Sequence, residues 1–309
     1  MNHRVLGRTG LKVSEVSLGT VSLGTDYGLP MPGESARPEA GQAIKMIRKA
    51  ADAGINLFDT APSYGNAETL LGEALENRSD CFIATKVLPI PANSARSLRG
   101  QILASIENSL RALKRDVLDL VQIHNATIGL LQDGAILEIL SQAKDVGKVR
   151  FVGASIYTDE EALAAITTTA VDVIQIAYNI LDQRKAKTVM PTARRENVGV
   201  IIRSALLQGV LSRKAKYLPT ELKSLKEAAE HARQALNISW EEMPTFAVRF
   251  CMDSFGVDSV LIGARTAMEL DQALAALQMP PLEDAFLAGA AKLSLTEERL
   301  LNPSLWLLK

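Results

Sequence analysis

The chain has 309 residues, 47% of them hydrophobic and 22% charged, with 34 Lys and Arg set against 35 Asp and Glu. A formal net charge of −1 supplies no basic field for nucleic acid and no cationic face for a membrane surface. The length suits one large α/β domain or two modest ones, and a chain of this size buries enough surface to fold without disulfide or metal staples.

The N-terminal MNHRVLGRTG has no apolar leader, and no window approaches the roughly 18 apolar residues that span a bilayer. A cytoplasmic location is therefore expected. VLGRTGLKVS (5–14) predicts a short hairpin turning at Arg8, Thr9 and Gly10. Compact β-type runs then follow at VSLGT (16–20), INLFDT (55–60), CFIATK (81–86), LDLVQIH (118–124), KVRFVGAS (148–155), VDVIQIAYN (171–179), VGVIIRS (198–204) and DSVLIGA (258–264). Helical periodicity separates them, over 38–54, 67–78, 97–114, 136–147, 158–168 and 183–197, then 221–237, 240–254 and 266–277. Glycines in ADAGIN, KDVGKV and RENVGV stand beside last turns, where a left-handed residue closes a helix. Cys81 and Cys251 lie inside apolar stretches and read as small buried hydrophobes, not as a disulfide or a metal site.

Strands flanked by helices must run parallel, because each connection crosses back over the sheet. Eight such units without a linker predict a (β/α)8 TIM barrel with a short N-terminal β-hairpin and a C-terminal tail, a single domain over 1–309. A doubly wound sheet is the rival, but no strand is followed by G-x-G-x-x-G or a Walker loop.

Barrel chemistry sits at the C-terminal strand ends. Those ends carry Gly19 and Thr20, Asp59 with Tyr64, Lys86, His124, Ser155, Gln175, Arg203 with Ser204, and Gly263 with Arg265. Asp59, Tyr64, Lys86 and His124 come from neighbouring strands and would meet in one small region. A phenol is a poor acid at neutral pH. An adjacent ammonium favours its ionised form, and a carboxylate can keep that ammonium charged out of water. A neutral imidazole can polarise a carbonyl by hydrogen bonding. Each residue alone has an ordinary structural reading: a solvated lysine, a satisfied core histidine, an aspartate capping a turn, a tyrosine plugging the mouth.

The whole chain resembles the aldo-keto reductase superfamily, through GINLFDTAPSYGNAETLLGEAL, ATK, LDLVQIH, GKVRFVGAS, QIAYN and VLIGA-R-T in order. The resemblance implies Tyr64 as general acid/base, Lys86 as its modulator, Asp59 as the lysine's partner and His124 as substrate orienter. It also implies a nicotinamide cofactor across the barrel mouth, held by Gly19, Thr20, Asp59, Ser155, Gln175, Arg203, Ser204, Leu206, Gly263 and Arg265, and a small carbonyl or sugar substrate. Within that set Ser155 and Gln175 match the carboxamide positions, with Ile156 where the family often has asparagine. Arg203 stands where many relatives stack an aromatic ring, and its charge beside an oxidised nicotinamide would favour the reduced cofactor.

NADP(H) is preferred on Arg265, with NAD(H) the alternative because Glu269 and Ala273 replace a frequent arginine and asparagine. The segment 206–221 is expected to fold as a lid, and Trp306 to dock the tail on the barrel. Two other functions compete: a cofactor-binding regulatory barrel with little turnover, and a lyase or isomerase working through a Schiff base at Lys86.

Overall fold

The computed structural model describes residues 1–29, 33, 37–88 and 97–306. The hairpin pairs β1 (His3–Val5) with β2 (Lys12–Ser14) in antiparallel register, and Gly10 takes the left-handed conformation (φ 69°) that its turn requires. Eight parallel strands then close into a barrel: β3 (Val16–Gly19), β4 (Leu57–Asp59), β5 (Phe82–Val87), β6 (Leu118–Ile123), β7 (Val149–Ile156), β8 (Val173–Ala177), β9 (Gly199–Arg203) and β10 (Ser259–Gly263). β10 pairs with β3 to complete the circle, Gly263 lying beside Gly19. The fold is the (β/α)8 barrel that the alternation predicts.

Differences are confined to helix ends and short elements. The stretch 183–197 breaks into a 3-10 turn (Arg184–Ala186) and a helix (Val189–Arg195). Pro191 has no N–H to donate and is tolerated only in a first turn, so the helix begins just before it. Four further helices, Val21–Gly24, Ile128–Asp133, Asp284–Ala291 and Glu298–Leu301, contain too few turns to register as a helical period. The segment 206–221 is not open coil but a series of 3-10 turns, Leu207–Gly209, Arg213–Tyr217 and one that starts at Thr220. Trp306 is buried in the main core cluster, and Glu298 of the tail accepts from Arg184 Nη1 at 2.5 Å, so the tail docks as expected.

Along every strand alternate side chains share a face, and this determines what fills the barrel. Leu57, Leu120, Val173 and Leu261 form one cluster with Ala84 and Ile201, and the hairpin closes it from below with Leu6, Leu11 and Val13. Leu6 sits where a Cβ on Gly199 would lie 2.8 Å from its side chain. Two residues further along the same strands stand Asp59, Gln122, Gln175 and Gly263 from β4, β6, β8 and β10, and Lys86 and Arg203 from β5 and β9. The filling therefore changes from aliphatic to polar within two residues, at the end where the loops can reach it.

The opposite rim is held by side chains that accept from strand N–H groups. Asn56 takes Ser14 N at 2.7 Å, Asp119 takes Ile83 N at 3.0 Å, Asp172 takes Val152 N at 3.0 Å and Asp258 takes Val200 N at 2.9 Å. Truncating the plug tests whether stability and chemistry occupy separate ends. Leu6→Ala should lower stability by about 2–5 kcal/mol in thermal melts while leaving the affinity for the dinucleotide that the resemblance implies, measured by protein fluorescence quenching, unchanged.

Candidate active site

Asp59 ends β4 and Lys86 stands one residue from the end of β5, so the parallel pairing of these strands brings both to the mouth. Lys86 Nζ donates to Asp59 Oδ1 at 2.5 Å and to the Thr60 carbonyl at 2.9 Å, with Lys86 only 1% and Asp59 4% exposed. The other carboxylate oxygen, Oδ2, accepts two amides, Gln122 Nε2 at 2.9 Å and Gln175 Nε2 at 2.8 Å. Lys86 Nζ lies 5.0 Å from the centre of the Tyr64 ring, and the His124 ring meets Tyr64 edge-on with centroids 5.9 Å apart. All four side chains expected to meet do so.

Tyr64 is placed by its backbone. Its N–H donates to Ala61 O at 3.0 Å and its carbonyl accepts from Ala67 N at 3.1 Å, at the start of the helix Ala67–Ala74. Glu68 of that helix accepts from Thr85 Oγ1 at 2.7 Å, tying it to the strand that carries Lys86. A Cβ on Gly24 would overlap the Tyr64 carbonyl oxygen and lie 2.9 Å from Ala67 N. Gly65, at φ 58°, faces Gly24 from the other side. This close approach requires glycine in both segments.

Burial dominates the electrostatics. It pushes the Tyr64 phenol well above its ordinary value, and the Asp59 and Tyr27 side chains add to the rise while Arg203 opposes it. Lys86 is itself pushed down by burial, against the pull of Asp59. The lysine therefore does not leave the resting tyrosine acidic, as its proximity alone suggests: burial and the Asp59 charge prevail. Burial, with Lys86 adding to it, lowers the His124 imidazole to about 4, so it is neutral at physiological pH. Its buried Nδ1 has no hydrogen-bond partner. An unpaired acceptor is tolerated better than an unpaired N–H, which puts the single imidazole proton on Nε2.

A cleft of about 680 Å³ opens over this group, within the usual range of small-molecule sites. Gly19, Thr20, Asp59, Gln175, Arg203, Ser204, Leu206, Gly263 and Arg265 line it, together with Tyr64. Ser155 does not; it is buried, and its backbone carbonyl accepts from Ala126 N. Lys86, buried, does not line it either, and His124, half-buried, stands beside Tyr64 at its edge. Gln175 commits its amide N–H to Asp59, which leaves its carbonyl end for a ligand carboxamide. Arg203 packs its guanidinium 4.3 Å from the Tyr157 ring centre and donates to Ile156 O at 3.0 Å, while its buried Nε has no partner.

Four lining or supporting groups have no counterpart in the sequence reading. Gln122 supports Asp59; Tyr27 and Gln208 line the cleft beside Tyr64; and Lys214 reaches across to Glu269 at 2.7 Å. Of these only Gln122 had a signal, as the polar residue within the apolar run LDLVQIH. The wall itself is strained: Ser204, Leu207 and Gln208 have φ of 60°, 45° and 56°, values that cost free energy in non-glycine residues and gather at ligand sites. Asn179, fully buried, holds this bend through Nδ2 to Ser204 O at 3.1 Å.

The Aldo/keto reductase family model matches residues 15–294. The chain is 30% identical to L-galactose dehydrogenase of Arabidopsis thaliana over 89% of its length and 87% of that protein's. It is 26% identical to aldo-keto reductase YhdN of Bacillus subtilis (strain 168), covering 88% and 87%. Among solved structures, the holo form of aldo-keto reductase AKR11C1 from Bacillus halodurans superposes with a TM-score of 0.78 at 26% identity, over 95% of this chain and 96% of that one. The chain belongs to the aldo/keto reductase family, a class of oxidoreductases that use nicotinamide cofactors.

The residues present fit such a cofactor. The cleft runs from Asp59 and Tyr64 to Arg265 and Gln272, and the orphaned Arg203 Nε and the strained bend at Ser204 supply polar groups along it. No helix among the described residues is long and apolar enough to cross a membrane. The contact between Gly24 and Tyr64 gives a direct test of how far the site depends on placement. Gly24→Ala should cost about 1–3 kcal/mol of stability and slow carbonyl reduction by about 10- to 100-fold, read from melting curves and from p-nitrobenzaldehyde turnover.

Proposed function

We propose that the chain, as one barrel domain over 1–309, reduces an aldehyde, ketone or open-chain sugar by hydride transfer from a bound nicotinamide, with Tyr64 delivering the proton. The observation that carries this reading is the buried Asp59–Lys86 pair set against the Tyr64 ring beneath the cleft. A bound nicotinamide supplies the hydride. The chain's own part is to fix the carbonyl and protonate its oxygen. His124, neutral and protonated on Nε2, donates to that oxygen and orients it.

Tyr64 starts the reaction protonated, because burial holds its proton in place. The alkoxide formed by hydride addition is a much stronger base than a phenolate, so transfer from Tyr64 runs downhill. Lys86 has three N–H bonds, of which Asp59 Oδ1 and Thr60 O take two; the third serves the phenolate as it forms. The ion pair with Asp59 and the bond to Thr60 O engage this amine, which supports the reductase reading over a Schiff-base lyase. Because the phenol must lose its proton before alcohol oxidation, that direction should gain rate as pH rises, while carbonyl reduction should stay level from about pH 5. Tyr64→Phe should abolish most reduction of p-nitrobenzaldehyde yet still quench protein fluorescence on adding NADPH. Near-normal turnover in that variant would refute the assignment.

The cofactor is proposed to be NADP(H). Burial works against the Glu269 carboxylate, but Lys214 at 2.7 Å, the Arg265 backbone N–H at 2.7 Å and the nearby Arg265 guanidinium hold it below its ordinary value. Arg265 and Lys214 line the cleft beside Glu269, and a guanidinium next to an ammonium suits a 2′-phosphate. Arg203, beside the nicotinamide end, favours the reduced form by charge. Arg265→Ala should weaken NADPH binding by about 10- to 100-fold and leave NADH titrations within twofold; equal losses for both would point to NAD(H).

A further inference from the structure

The layer that carries Asp59 contains one group the reaction does not obviously require. Gln122 is the inward-facing residue of β6, fully buried, between Val121 and Ile123. Its Nε2 donates to Asp59 Oδ2 at 2.9 Å, but its Oε1 is buried without any partner. A leucine of similar volume would avoid that orphan acceptor, whose desolvation is a net cost to folding. The neighbouring strand makes room for the amide: a Cβ on Gly153 would lie 3.0 Å from Gln122 Cγ. Both features are costs to stability with no return in packing.

The return lies in the division of labour at Asp59. Oδ1 faces the lysine, and Oδ2 is occupied by two neutral amides, from Gln122 and Gln175. With Oδ2 idle, the carboxylate could turn both oxygens onto Lys86 and draw the ammonium away from the tyrosine. With Oδ2 filled, Asp59 meets the lysine through one oxygen, and Lys86 Nζ stays 5.0 Å from the Tyr64 ring centre. Gln175 lines the cleft and has a second duty toward a ligand, whereas Gln122 does not line it. We propose that Gln122 is a positioning residue for catalysis, acting on Tyr64 through Asp59 and Lys86 by holding the second carboxylate oxygen. This rests on Tyr64 as the proton donor.

The test is the kcat and pH profile of p-nitrobenzaldehyde reduction by NADPH in two variants of the full chain. Gln122→Leu removes the donor and should lower kcat by about tenfold, the worth of one such hydrogen bond, with KM for the aldehyde and NADPH affinity changed less than twofold. Gln122→Glu keeps the shape but can donate only when protonated. Its kcat should be as low as that of the leucine variant at high pH and recover toward wild type as pH falls, at unchanged NADPH affinity, because two facing carboxyls share a proton. A packing role would not produce that recovery.

The proposal is overturned if Gln122→Leu retains wild-type kcat, or if Gln122→Glu follows wild type at every pH or stays low at every pH. Should the leucine variant not fold, the isosteric glutamate arm decides alone. Tyr64→Phe, run in parallel, separates the two claims. If it turns over normally the proton-donor reading fails, and if it is inactive while both Gln122 variants behave as wild type only the positioning role falls.

Discussion

The mouth of this barrel is organised around one buried ion pair, Asp59 with Lys86. Two charges taken out of water regain their desolvation cost only if the remaining hydrogen-bonding capacity is also met. Here the carboxylate accepts from Gln122 and Gln175 as well as the lysine, and the ammonium donates to Thr60 O besides Asp59. That requirement explains why a layer inside the barrel is polar, and why it is polar with amides, which add donors without adding charge.

The rest of the mouth is arranged around the pair. Tyr64 is brought to it by a turn, a helix start and the bare backbone of Gly24. His124 is neutralised by the same burial and by the lysine's charge. Electrostatics here differ from a simple picture of a cation lowering a neighbouring phenol. With Asp59 on one side and water excluded, the resting tyrosine keeps its proton. On the proposed mechanism such a site gives its proton to a nascent alkoxide, and ionisation enters at the moment of reaction and not before it.

The two ends of the barrel divide stability from chemistry. The hairpin's Leu6, Leu11 and Val13 and the rim acceptors Asn56, Asp119, Asp172 and Asp258 close one end. The other end holds polar side chains, a bend with three left-handed non-glycine residues, and an ion pair from Lys214 to Glu269 across the cleft. Strain and half-satisfied polar atoms gather where a ligand can relieve them.

The sequence by itself determined the eight strands, their parallel order and the convergence of Asp59, Tyr64, Lys86 and His124, because period-two burial and strand-end placement are local properties. Lengths of four to eight residues hid the extra helices, and Pro191 moved a helix start. Tertiary structure alone decided the partners of Asp59: Gln122 and Gln175 lie 63 and 116 residues away in the chain, and only closure of the barrel turns them to one carboxylate oxygen. It decided likewise that Gly24 must be bare, that Lys214 meets Glu269 across 55 residues, and that Tyr64 is raised rather than lowered. A pKa depends on how much water is excluded and which charges remain nearby, and neither is defined until the layers have packed.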